Sequence, residues 1–165
     1  MTNTQEIALI LRFFEQIGIE AEYGPVPEAT FLPGIFIDAG RLVIDIDKLK
    51  YPGDLLHEAG HIAMAPSAQR ALMHGNIEAD SLVDTMELGA ILWSYAALKY
   101  LNLPPEFVFH QEGYKGQADW LIRQFEEGTF IGLPLLQWMG LAYDAQNAAN
   151  MNVEPFPFML KWLRD

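Results

Sequence analysis

Two histidines, His57 and His61, stand four residues apart, with a glutamate, Glu58, directly after the first. On a helix, residues at that spacing stack on one face, so both imidazoles reach a common point, and this requirement fixes the local fold. The neighbouring residues agree. Tyr51-Pro52-Gly53-Asp54 reads as a helix entrance, since Pro is tolerated in the first turn and Asp is favoured beside the free N–H groups. Leu55, Leu56, Ala59, Ile62, Ala63 and Met64 follow as apolar neighbours, and Pro66 ends the run. A chain of this composition produces the HExxH pattern by chance in roughly one sequence in a hundred, before any helical context is required.

Imidazole nitrogens so arranged suit Zn²⁺, which binds them at about 2.0–2.1 Å and, in catalytic sites, keeps a fourth position for water. Glu58 would then stand beside that water and take its proton. Gly60 costs about 1 kcal/mol of helix propensity relative to alanine, so it marks either a close approach by another backbone or no constraint at all.

Which ligands are available follows from composition. There is no cysteine, which excludes disulfide frameworks, thiolate metal sites and cysteine nucleophiles, and leaves His, Asp and Glu. The 165 residues, 51% of them hydrophobic, fit one domain with its own core. Twenty-two acidic residues against ten basic ones give a formal charge of -12, with no Lys or Arg cluster. That balance opposes nucleic-acid and anionic-membrane binding and is compatible with a cationic partner or substrate. The opening residues lack a basic stretch before an apolar one, and no run approaches about 18 apolar residues; the expectation is a soluble cytoplasmic protein. Phosphate-cradling glycine loops and a GxSxG elbow are both missing from the sequence.

Along the chain, Thr2-Asn3-Thr4-Gln5 offers a capping start, and Ile7, Ile10, Leu11, Phe14 and Ile17 recur at helical spacing until Gly18. Residues 20–33, punctuated by Gly24, Pro25, Pro27 and Pro33, read as loop with at most short extended pieces. Ile35-Phe36-Ile37 and Leu42-Val43-Ile44-Asp45-Ile46 flank Asp38-Ala39-Gly40-Arg41 as a hairpin. Helices are expected at 67–73, 77–101, 117–127, 133–150 and 158–163, with an apolar strand-like run at 107–110. The fold class is α+β: a helix-rich single domain in which a small β-hairpin or sheet precedes the HExxH helix.

A catalytic zinc needs a third protein ligand. Over residues 86–98 the one charged residue is Glu87, set among Leu88, Ala90, Ile91, Leu92 and Trp93, and an unpaired carboxylate is expensive to bury in such a helix. Coordination would remove that cost. The alternative places Glu87 on a solvated stripe with Asp84 and Asp80. Asp84 is the rival ligand, or an acceptor for an imidazole N–H. Asp80, Glu78 and His74 stand nearer the helix entrance; His74 as ligand would make a three-histidine site.

His57-Glu58-x-x-His61 followed by a helix bearing Glu87 resembles the gluzincin arrangement of metallopeptidases, in which two HExxH histidines and a downstream glutamate bind zinc. The ribbon at 35–46 leading into the motif, with the small size, is similar to the ImmA/IrrE-like minimal zincins. The resemblance covers roughly residues 35–101, and its specific part is HExxH. It implies a peptide or protein substrate paired along an edge strand before the metal helix.

His110 and Tyr114 follow the apolar run at 107–110 and occupy a glycine-bracketed loop, where catalytic groups are often displayed; either could donate a hydrogen bond to an oxyanion. Tyr95 is a weaker candidate, and for all three a packed structural role is the alternative. Trp93, Trp120, Trp138 and Trp162 read as core. The expected function is a zinc-dependent hydrolase of peptide or amide bonds in which His57, His61 and Glu87 bind the ion and Glu58 is the general base. Two alternatives are a non-catalytic metal-binding regulatory or interaction module, and a helical interaction domain in which the motif is incidental.

Overall fold

The computed structural model describes residues 3–75 and 83–165, with the backbone alone for 83–85. Helix α1 (Asn3–Ile17) packs Ile7, Ile10, Phe13 and Phe14 inward, at the three- and four-residue steps that make one apolar face, and ends before Gly18. Strand β1 (Ala21–Tyr23) is a short extended piece inside the proline-rich stretch, followed by β2 (Ile35–Asp38) and β3 (Arg41–Ile44). The sheet order is β1-β3-β2, with β1 parallel and β2 antiparallel to β3. Ala39 and Gly40 both adopt positive φ, 51° and 77°, which a two-residue hairpin turn requires to match the twist of its strands. An Arg41–Asp38 ion pair of 3.1 Å closes that turn.

Helix α2 (Asp54–Met64) carries the HExxH motif, and ten of its eleven residues are buried, all but Glu58. It starts where Leu55 and Leu56 donate backbone N–H groups to the Pro52 and Gly53 carbonyls, and it ends at Ala65, whose extended backbone leads into Pro66. After the short α3 (Ser67–Arg70), the long α4 (Val83–Tyr100) runs against α2 through small residues. A Cβ on Gly60 would stand 2.8 Å from the Ala90 carbonyl oxygen and 3.2 Å from its Cβ, so Gly60 does mark a close helix–helix approach. On the far side of α4, Trp93 joins Phe13 and Trp162 at ring-centroid distances of 6.0 and 5.4 Å. Tyr95 is buried among Phe109, Phe125, Phe130 and Phe156.

Several sequence expectations are corrected in the second half. The helix expected at 133–150 is two, α6 (Leu133–Trp138) and α7 (Ala145–Met151), with α5 (Ala118–Glu126) preceding them. Gly140 turns at φ 69° between them, and Asp144 caps α7 by accepting the Asn147 N–H at 2.8 Å, a local bond that competes with continuous helix. No helix forms at 158–163. There the backbone bonds to distant partners: the Leu160 N–H donates to Leu141, the Trp162 carbonyl accepts from Trp93 Nε1, and the Arg164 N–H donates to Ala63. The run at 107–110 is not extended either, because Pro104 and Pro105 open a 3₁₀ turn at Pro105–Phe107 that delivers Val108 and Phe109 to the core. Of the four tryptophans, Trp120 and Trp138 are exposed. The helix expected from 77 is described from Val83 onward, and Thr2, Glu78 and Asp80 lie outside the described residues.

Candidate metal centre

Gly60 touches Ala90, and the candidate ligand side chains sit within a turn of that contact. His57 and His61 flank Gly60 on α2, and Glu87 lies one turn before Ala90 on α4. The two Nε2 atoms are 3.2 Å apart. The Glu87 carboxylate faces both, with Oε1 3.4 Å from His57 Nε2 and Oε2 3.1 Å from His61 Nε2. Among the described residues, these three form the group whose ligand atoms, all within 4.8 Å of one another, could hold a metal ion. Glu87 is 36% exposed at its side chain against 9% and 7% for the imidazoles, so the group opens to solvent on the α4 side. Glu87, singled out by its isolation in an apolar run, is half-buried, and its carboxylate stands opposite the two imidazoles.

The electrostatics suit a cation. Burial pushes His57 down to about 4, with the neighbouring His61 acting in the same direction, which keeps its ring neutral and able to coordinate near neutral pH. Burial also opposes charge on His61, but the hydrogen bond with Glu87 and the charge of Glu58 outweigh it and raise that ring. Glu87 is held below the ordinary carboxylate range despite its partial burial, by the His61 bond and by the two imidazoles and Lys115. Glu58, one residue past His57, acts electrostatically on both His61 and Tyr114.

The two loop candidates sit on the outer side of this group. The Tyr114 hydroxyl lies 3.3 Å from His57 Nδ1, on the ring edge opposite Nε2. His110 Nε2 lies 2.9 Å from Asp54 Oδ1 at the start of α2, with the Tyr51 ring stacked on the imidazole at 3.8 Å. Asp54 is the residue that sequence reasoning missed. It read as a helix-entrance carboxylate, whereas it is buried, and burial raises its carboxyl above the ordinary value even though the His110 bond pulls the other way. Only its place one turn before Glu58 hinted at this. His74 is away from the metal group, bonded to Asp38 at 2.9 Å, and Tyr95 is committed to the aromatic core. The side chain of Asp84, the rival ligand, lies outside the described residues.

No family model, no curated protein and no solved structure matches this chain. No helix among the described residues is long and apolar enough to cross a membrane.

Proposed function

We propose that this protein is a zinc-dependent hydrolase of peptide or amide bonds, of the minimal-zincin kind that its HExxH helix resembles. The observation that carries the reading is the convergence of His57 Nε2, His61 Nε2 and the Glu87 carboxylate from two helices, with Glu58 on the adjoining turn. A tetrahedral ion with bonds of about 2.0–2.1 Å has ligand–ligand edges of about 3.3–3.4 Å. The separations of 3.2, 3.4 and 3.1 Å fit that spacing. The nitrogen, nitrogen and carboxylate-oxygen set is also one that zinc uses when it retains an open position.

A bound Zn²⁺ would supply Lewis acidity, bringing the pKa of a water toward about 7 and polarising the scissile carbonyl. The chain supplies the proton handling. The Glu58 carboxylate, the one residue of α2 left outside the core, accepts the proton of the attacking water and returns it to the leaving amine nitrogen. His57 and His61 hold their Nε2 atoms toward Glu87 because both rings are packed on a buried helix. For the substrate, β2 is an outer strand of the sheet that contacts α2, a position from which an extended peptide adds a strand. Gly75 already donates to the Ile37 carbonyl, so added pairing falls toward the Ile35 end.

A peptide-library digestion with zinc-loaded protein tests the reading, run beside a chelated sample. Cleavage that is lost with chelator and restored with zinc supports it. Zinc bound without cleavage of any library member favours the non-catalytic module instead.

A further inference from the structure

The loop at 110–117 is held in an unusual shape for a definite result. Tyr114 and Lys115 both sit in the left-handed region, at φ 55° and 54°, where residues with a Cβ cost of order 1–3 kcal/mol unless their surroundings hold them. Here they are held. His110 is bonded to Asp54 and stacked on Tyr51, Glu112 pairs with Lys50, and Gln111 donates to Asp119 at 2.8 Å. The outcome is that the Tyr114 ring packs on Phe109, centroids 5.1 Å apart, and stands edge-on to His57, with its hydroxyl on Nδ1.

We propose that Tyr114 is the positioning residue of the metal centre, its hydroxyl selecting the His57 tautomer that leaves Nε2 free to coordinate. This rests on the zinc-site reading above. A neutral imidazole carries one N–H, and a ring that coordinates through Nε2 must carry it on Nδ1, where it needs an acceptor. Tyr114 is the hydroxyl at that atom. A phenol suits the position in both states, because it donates as well as accepts. With the proton on Nε2, which faces His61 Nε2 at 3.2 Å and Glu87 Oε1 at 3.4 Å, the phenol O–H would donate to Nδ1. With Nε2 given to a metal, the proton would be on Nδ1 and the phenol oxygen would accept it. A carboxylate in the same place would serve only the second state. The Asp54–His110 bond ties the loop that carries the hydroxyl to the same helix that carries His57.

Tyr114→Phe removes the one oxygen and keeps the ring that packs on Phe109 and His57. Zinc affinity by competition with a chromophoric chelator is expected to fall about 10–100-fold, the usual loss when such a partner is removed. In ¹⁵N spectra of zinc-loaded wild type, His57 should show a protonated Nδ1 protected from exchange, and in the variant that proton should exchange faster. A structural role alone would leave the imidazole signal where it is. Gln111→Ala removes one of the loop's own anchors and keeps the phenol, so it should lower affinity and Nδ1 protection less than Tyr114→Phe does; a loss as large would assign both effects to general loosening of the loop and overturn the proposal. Wild-type affinity within twofold in Tyr114→Phe, with an unchanged Nδ1 signal, overturns the proposal. Failure of the wild type to bind zinc at all overturns the zinc reading itself, and this proposal with it.

Discussion

Gly60 on α2 lies against Ala90 on α4 with no room for a methyl group, since a Cβ would come within 2.8 Å of the Ala90 carbonyl oxygen. The contact sets the distance between the helix that carries both imidazoles and the helix that carries Glu87. A metal site tolerates little change in that distance, because its ligand spacings are those of one small ion. The glycine that weakens α2 as an isolated helix is therefore what lets the three side chains meet.

Gly60→Ala should thus lower stability although alanine is the better helix former. Forcing a methyl into packed backbone typically costs about 1–3 kcal/mol, and the propensity gain of about 1 kcal/mol returns part of it. A lower urea midpoint together with weaker zinc retention is the expected result. Unchanged stability and unchanged zinc content would show that the helices separate freely and that the contact does not set the site.

His57→Ala, His61→Ala and Glu87→Ala should each reduce zinc content in elemental analysis of purified protein, and Asp84→Ala should do so much less. Removing a ligand also leaves α2 without a buried polar pair, so folding is checked in parallel by circular dichroism. A larger loss in Asp84→Ala than in Glu87→Ala would transfer the third-ligand role to Asp84.

Glu58→Gln preserves size and hydrogen bonding but removes the basic carboxylate. Zinc binding should survive, and the rate on a library-derived peptide should fall about 10²–10⁴-fold, the usual contribution of a general base. Cleavage at the wild-type rate would exclude the proposed proton transfer.

The buried Asp54 carboxyl gives a pH signature separable from catalysis. Burial raises its folded-state pKa above the unfolded value, so the folded protein binds that proton more tightly than the unfolded chain does. Its contribution to stability is then complete below the ordinary value of 3.8 and is lost as pH rises through the raised folded value. Compared with Asp54→Asn, wild type should lose relative stability across that window, read from urea midpoints at a series of pH values. A difference that grows in favour of wild type with rising pH would mean that the His110 bond outweighs the burial.

The sequence by itself determined the elements whose signals are local. The four-residue spacing of His57 and His61, the entrance at Pro52 and Asp54 and the stop at Pro66 specify α2; Ala39-Gly40 between β-branched runs specifies the hairpin; and isolation in an apolar run singled out Glu87. Each depends on interactions within a few residues, which periodicity and turn chemistry record. Tertiary structure decided the rest. Whether Glu87 faced solvent or the two imidazoles depended on how closely α4 approaches α2, a distance set by Gly60 and Ala90 thirty positions apart in the chain. The segment at 158–163 has helical spacing, yet Leu160 and Trp162 bond to Leu141 and Trp93, and Arg164, the residue after the segment, to Ala63, so long-range partners outweighed local preference. Asp54 and Tyr114 gained their partners, His110 and His57, from a strained loop that returns to α2 more than fifty residues later. Such pairings leave no local trace, because the energy that fixes them comes from groups brought together only when the whole chain has folded.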